Sequence, residues 1–263
     1  CFFNVESFDE LVAINRVSKD VGVNAKISIR VNPDIDPKTH PYISTGLKTS
    51  KFGIAIEDSY DAYIEASKMK NIDVVGIDAH IGSQIFDLQP FEDSLLRLEE
   101  LYHKLNDLGI NIRFIDIGGG LGIKYKDDDI PPTKKEFAEK IIKTMKKINC
   151  SLILEPGRSL VGNAGYLISK VLYKKKSNQK NFLIIDAGMN DILRPSLYNA
   201  YHKVSKSVQA SDNSEIFDIV GPICETGDVI SYDTTLNDAK IGDNIIIHSA
   251  GAYGSVMSSN YNS

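Results

Sequence analysis

The stretch Ile112-Arg-Phe-Ile-Asp-Ile-Gly-Gly-Gly-Leu-Gly122 reads as a strand that breaks without warning into a glycine-rich turn. Two other runs behave the same way. Asp73–His80 passes into Ile-Gly-Ser83, and Ser151–Glu155 passes into Pro156-Gly157-Arg158. In a parallel α/β protein the C-terminal strand ends lie at one mouth of the sheet, where ligands bind. An imidazole (His80), bare backbone amides (Gly118, Gly119, Gly120), a carboxylate (Glu155) and a guanidinium (Arg158) are thereby expected at one pocket. That combination suits an anionic, ring-bearing cofactor.

The surrounding chain supports such a sheet. Phe2–Val5, Lys26–Asn32, Asp73–His80, Ile112–Ile117 and Ser151–Glu155 have strand character. Helices are predicted after Ser7, where Glu10 completes a capping-box signal, and over Glu57–Lys70, Phe91–Asp107 (closed by Gly109) and Thr133–Ile148. A long polar loop containing Pro33, Pro37, Pro41 and Gly46 follows the second strand. Strand-helix alternation predicts parallel pairing with right-handed crossovers. After Gly162 the texture changes. Tyr166–Tyr173, Phe182–Ile185, Lys203–Gln209, Ile216–Val220, Val229–Tyr232 and Asn244–His248 are short, turn-separated runs, which predicts an antiparallel β-domain. The expected division is therefore 1–162 and 163–263.

Bulk properties narrow the function. The 263 residues carry a net charge of −5, which gives no reason to expect nucleic acid; the clusters Lys134-Lys135 and Lys174-Lys175-Lys176 read as solvated faces. No apolar run approaches a membrane span. Cys1, Cys150 and Cys224 are scattered without CxxC spacing, which fits a reducing, cytoplasmic setting rather than a disulfide framework. The chain starts at Cys1-Phe-Phe-Asn4 and stops at Asn260-Tyr-Asn-Ser263, so it reads as cut at both ends.

Several chemistries drop out on spacing. A dinucleotide fingerprint would need glycine at Ile123, and no Gly-Lys-Ser/Thr follows for a P-loop. The five histidines show no HExxH or other metal spacing, so no metal is expected. Gly157-Arg-Ser159 lacks the second glycine of a nucleophile elbow. A ligand-free tight turn remains an alternative reading of the glycines, and a structural salt bridge of Glu155 with Arg158. Asp186 and Asp191 could simply shape a turn. Arg194 and Tyr198 share a face if their stretch is helical, with Pro195 suited to its first turn. Cys224-Glu225 lies among Gly221-Pro222 and Gly227-Asp228, hence in a loop.

The order of these segments is more telling than any one of them. His80-Ile-Gly-Ser83, Gly118-Gly-Gly-Leu-Gly122, Glu155-Pro-Gly-Arg158, Asp186-Ala-Gly-Met189, Arg194-Pro-Ser-Leu-Tyr198, Cys224-Glu-Thr-Gly-Asp228 and Gly251-Ala-Tyr-Gly254 resemble the diaminopimelate decarboxylase family. That family belongs to the fold-type III, alanine-racemase-like enzymes that use pyridoxal 5'-phosphate. Arg30-Val-Asn-Pro33, Thr45-Gly-Leu47 and Ser50-Lys-Phe-Gly53 are similar to it too.

The resemblance implies a (β/α)8 TIM barrel followed by a β-domain. With five barrel strands visible, about three are expected to precede Cys1. It further implies that the lysine carrying the cofactor lies on one of those early strands. Lys48 and Lys51 do not match that position. The β-domain is likewise expected to continue past Ser258–Asn262, and the 263-residue piece alone is expected to be inactive and poorly folded.

The resemblance also implies roles. Glu155 faces the cofactor's ring nitrogen and His80 its face. Ser83, Gly118, Gly119, Gly120 and Tyr253 hold the phosphate, with Pro156, Gly157 and Arg158 in the same cofactor-binding segment. Arg158, Arg194, Tyr198 and Tyr253 bind the distal part of an amino-acid substrate, and Glu225 reads its ammonium. Cys224 returns a proton to the α-carbon. Cys224 and Glu225 reach a neighbouring subunit's pocket, so a homodimer with shared sites is implied, acting on meso-2,6-diaminopimelate to yield L-lysine. An ornithine, lysine, arginine or carboxynorspermidine decarboxylase is the nearer alternative, and a non-catalytic binding protein of the same fold the farther one.

Overall fold

A computed structural model describes residues 1–37, 45–46, 50–207 and 213–262. The chain divides into two compact units, Cys1–Gly122 with Pro131–Pro156, and Ile123–Ile130 with Gly157–Ser263.

The first unit alternates strand and helix: β1 (Phe3–Val5), α1 (Phe8–Val21), β2 (Ala25–Asn32), β3 (Ile54–Ala55), α2 (Ile56–Lys68), β4 (Ile72–Asp78), α3 (Gln89–Asp107), β5 (Phe114–Asp116), α4 (Lys134–Met145) and β6 (Ser151–Ile153). The strands pair in the order β1-β2-β4-β5-β6, all parallel, as the alternation predicts. The two-residue β3 pairs with Val31 and Asn32 of β2 and was not expected. Two residues are too few to show alternation; the turn into them is made by Gly53 at φ 71°, where a Cβ would sit 2.9 Å from the Arg30 carbonyl.

Local signals explain the helix ends. Ser7 Oγ accepts the Glu10 amide, but Glu10 returns its carboxylate to the Glu6 amide rather than to Ser7. Thr133 and Glu136 form the complete reciprocal box at α4. Gly109, at φ 80°, follows α3. Leu95, Leu98, Leu101 and Leu105 of α3 are buried with Ile27, Ile29, Ile77 and Ile115 of the strands. Gly76 lies opposite Phe114, and a Cβ there would lie 2.2 Å from that ring, so the glycine makes room for the aromatic side chain.

The second unit holds a short α5 (Arg158–Val161), then β7 (Leu167–Lys176), β8 (Asn181–Ile185), α6 (Arg194–Tyr198), β9 (Val204–Lys206), β10 (Ser214–Val220), β11 (Val229–Asn237) and β12 (Asn244–Ile247). Their order in the sheet is β11-β10-β8-β7-β12-β9. The expectation of a purely antiparallel domain needs correction, because β8 and β10 pair in parallel. The long connection through α6 and β9 supplies the crossover that a parallel pair requires. The expected strand over Lys203–Gln209 contracts to Val204–Lys206, and its last two residues lie outside the described residues. Val171, Leu183, Ile185, Phe217, Ile219, Ile230, Ile245 and Ile247 form a separate core.

Candidate functional site

In the first unit a row of charge crosses the strand ends. Arg30 lies opposite Asp78, and Asp78 opposite Asp116, in register on adjacent strands. Parallel neighbours in register present their side chains on the same face. Arg30 Nη1 is paired with Glu6 Oε1 at 2.5 Å, and the other Glu6 oxygen accepts the Gly53 amide at 2.7 Å. Asp78 is 3% exposed and its Oδ1 has no hydrogen-bond partner. Burial, reinforced by the negative charge of Asp116 and opposed by Arg30, pushes its carboxyl up to about 8. Asp78 is therefore mostly protonated at neutral pH. Burial also raises Asp116, which accepts the Gly118 amide at 2.9 Å.

Directly beyond that row the predicted strand ends are stitched together. The Gly119 amide donates to His80 Nδ1 at 3.2 Å, and the His80 carbonyl accepts from Thr45 Oγ1 at 2.7 Å. The Ile85 amide donates to the Gly120 carbonyl at 2.9 Å, and the Gly122 amide to the Ile85 carbonyl at 3.0 Å. Glu155 donates its amide to the Gly118 carbonyl at 2.8 Å. His80, Gly118–Gly120 and Glu155 thus share one backbone network, with Ser83 half-buried on the first of its loops.

A ligand-free reason for the glycines is present. A Cβ at Gly119 would lie 2.2 Å from the Glu155 carbonyl oxygen, and one at Gly120 would lie 2.3 Å from that of Gly82. Two of the three amides are also engaged internally. Among the described residues, the Gly120 amide has no acceptor, and it is the one of the three left for an outside anion.

Donor chemistry fits a phosphorylated aromatic ring. His80 accepts at Nδ1, so its proton sits on Nε2, and burial followed by the Arg30 charge lowers its pKa to about 4. A neutral imidazole can lie against a ring without opposing a protonated ring nitrogen. Glu155, two residues beyond β6, is exposed and carries the carboxylate such a nitrogen needs. Pro156 follows it as the last residue of this unit, and Gly157 opens the longer segment of the second.

The second unit assembles the other group. Arg158 and Arg194 are 6% and 7% exposed, yet both lie against one tyrosine, their guanidinium carbons 5.7 and 4.6 Å from the Tyr125 ring centre. Arg158 Nη1 donates to Tyr125 Oη, and the Arg158 guanidinium also stacks over Tyr253 at 4.7 Å. Among the described residues Arg194 has no ion pair, and burial lowers its pKa, reinforced by the Arg158 charge and opposed by Tyr125, Tyr198 and Tyr253. Two buried cations this close favour an incoming carboxylate. Tyr253 is held at φ 56°, a left-handed conformation unusual for a bulky residue. Gly251 beside it would place a Cβ 1.9 Å from the Val161 carbonyl oxygen. Tyr198 is half-buried at the end of α6, whose first residue is Arg194.

Cys224 and Glu225 are exposed in a turn next to α6, tied by Ser196 Oγ donating to the Gly227 carbonyl at 2.6 Å. Asp228 holds that turn: its carboxylate accepts the Met189 amide at 2.6 Å and the Ile223 amide at 2.7 Å. Tyr261 Oη donates to Glu225 Oε2 at 3.2 Å. Asp186 accepts from Ser169 and Lys170, and Asp191 from the Gly188 amide, so both shape their turns.

Sequence reading overlooked Asp78, Asp116, Tyr125, His202 and the anchoring by Asp228. The only signal for the first two was a carboxylate closing an apolar strand. Tyr125 and His202 carried none. Lys48 and Leu47 lie outside the described residues; Lys51 extends over the Phe52 ring at 5.2 Å. No group of metal-ligating side chains occurs among the described residues.

The chain belongs to the pyridoxal-dependent decarboxylases: residues 1–162 match the family model "Pyridoxal-dependent decarboxylase, pyridoxal binding domain". Within that class it is 47% identical over 260 residues to diaminopimelate decarboxylase of Aquifex aeolicus, and 48% identical over 260 residues to that of Pseudomonas aeruginosa. These matches take in 99% of this chain and 62% of each relative, so the chain spans about 62% of the length of the curated relatives it matches. Diaminopimelate decarboxylase from Helicobacter pylori, solved with L-lysine, superposes with a TM-score of 0.95 at 43% identity, covering 99% of this chain and 65% of that one.

Proposed function

We propose that the whole protein is a pyridoxal 5'-phosphate-dependent carboxy-lyase that converts meso-2,6-diaminopimelate to L-lysine and carbon dioxide, the last step of lysine biosynthesis. The observation that carries the substrate assignment is the pair Arg158 and Arg194 on one tyrosine ring, with Arg194 lacking an ion pair among the described residues. A substrate with a second, unreacting carboxylate fits such a pair, and L-lysine, held by the Helicobacter pylori relative, retains that carboxylate.

When bound, pyridoxal phosphate supplies a ring that accepts the electrons released as carbon dioxide leaves. Glu155 keeps the ring nitrogen protonated, and neutral His80 lies against the ring. The Gly120 amide, Ser83 and the Tyr253 hydroxyl hold the phosphate on the turn that Gly118 and Gly119 shape, while Pro156, Gly157 and Arg158 continue the cradle. Arg158, Arg194, Tyr198 and Tyr253 orient the distal end of the substrate. Glu225 accepts from its ammonium, and Cys224 delivers the proton to the α-carbon that has lost its carboxylate.

In this reading residues 1–162 are the C-terminal part of a (β/α)8 barrel and 163–263 the following β-domain. The protein works in the cytoplasm as a homodimer in which Cys224 and Glu225 serve the neighbouring subunit. A diamine-forming decarboxylase is the competing reading; Glu225, with Arg194 and Tyr198, favours a substrate ending in both charges. Assay of the full-length protein against diaminopimelate, ornithine and lysine is expected to show turnover of diaminopimelate alone. A clear preference for ornithine would overturn the assignment.

A further inference from the structure

We propose that His202 is a positioning residue that, with Tyr125, sets the guanidinium of Arg194 so that its remaining edge takes the distal carboxylate of the substrate. This rests on the reading of Arg194 given above. Arg194 Nη1 lies 2.8 Å from His202 Nε2, and His202 Nδ1 lies 2.8 Å from the His248 carbonyl oxygen. A guanidinium only donates, so Nε2 must accept; a carbonyl only accepts, so Nδ1 must donate. Both contacts require the same species, the neutral Nδ1–H tautomer. Imidazolium would place N–H against N–H. His202 is 1% exposed, and burial lowers its pKa to about 4, so that species holds at neutral pH.

The imidazole is itself located. Its ring packs edge-on against Tyr125, with centroids 5.4 Å apart at 84°. Tyr125 in turn presents its face to Arg194 at 4.6 Å. Arg194 therefore has one nitrogen tethered and one face covered, a placement that no carboxylate of the described residues provides. A guanidinium has five N–H donors in a rigid fork. Fixing one corner aims the others and reduces the conformational freedom lost when a carboxylate binds.

The test uses the full-length holoenzyme with His202→Leu and His202→Gln, the latter restoring an acceptor toward Arg194. His202→Leu is expected to raise KM for diaminopimelate and weaken L-lysine inhibition about tenfold, with kcat changed less than about threefold. Inhibition by 1,5-diaminopentane, which lacks the carboxylate, should not change, and His202→Gln should recover most of the loss. Equal loss with both inhibitors, a fall in kcat with KM unchanged, or no recovery with glutamine would overturn the inference. If His202→Leu does not fold, the ¹⁵N shifts of wild-type His202 decide: an Nε2–H pattern overturns it and an Nδ1–H pattern supports it. A wild-type enzyme inactive on diaminopimelate removes the functional reading and this inference with it. An active wild type with unaltered His202 variants removes the inference alone.

Discussion

The amide of Gly119 donates to Nδ1 of His80 at 3.2 Å, joining two strand ends that are 39 residues apart in sequence. One backbone proton thus decides the tautomer of the imidazole proposed to face the cofactor ring. His80 is expected to stay neutral, with its proton on Nε2, as pH falls from 8 to 5, observed as an unchanging ¹⁵N signature. Its folded pKa, about 4, lies below the ordinary value, so in acid the unfolded chain takes up the proton first. Stability from this group is present at neutral pH and is lost as pH falls from ~6.5 through ~4, by at most ~1.4 kcal/mol per unit. His80→Gln should remove that part of the acid slope in denaturant titrations.

Asp78 has the opposite sign. Its folded pKa, about 8, lies above the unfolded value near ~4, so between these the folded state holds the extra proton. Stability falls as pH rises through that window, by at most ~1.4 kcal/mol per unit. Asp78→Asn keeps a neutral, similarly shaped side chain and should gain on the wild type steadily from pH 5 to 8 in chemical denaturation. A constant difference across that range would show that Asp78 does not titrate there.

Gly119→Ala should be far more harmful than its size suggests, because the new methyl group would lie 2.2 Å from the Glu155 carbonyl oxygen. Overpacking of this kind costs roughly 1–3 kcal/mol. It would also part His80 from its donor. Lower thermal stability together with at least about tenfold weaker pyridoxal phosphate binding is expected, the latter followed by cofactor fluorescence.

Asp228→Ala leaves two amides, Met189 and Ile223, without their acceptor. About 1–3 kcal/mol of local stability should be lost, and the Cys224-Glu225 turn with it. A fall in kcat approaching that of Cys224→Ala, with cofactor binding unchanged, is the expected result in steady-state assays of the full-length protein.

Much of this was legible in the chain itself. The alternation of β1, β2, β4, β5 and β6 with their helices, the parallel pairing and the family all follow from patterns of a few residues, because apolar period, capping and turn chemistry are local. The parallel β8–β10 pair and the two-residue β3 were not legible. One depends on a long crossover and the other on a single positive-φ glycine.

Residue identity and order alone marked out the strand ends bearing His80, Gly118–Gly120 and Glu155 as neighbours and as the proposed seat of an anionic ring. Only the folded chain decided which amide remains available, which carboxyl keeps its proton, and what steadies Arg194. Those properties come from register and burial between residues remote in sequence: Asp78 beside Asp116, Gly119 against Glu155, and the His202 that holds Arg194 fixed in turn by the His248 carbonyl. Desolvation and hydrogen-bond geometry act across space, and no window along the chain contains them.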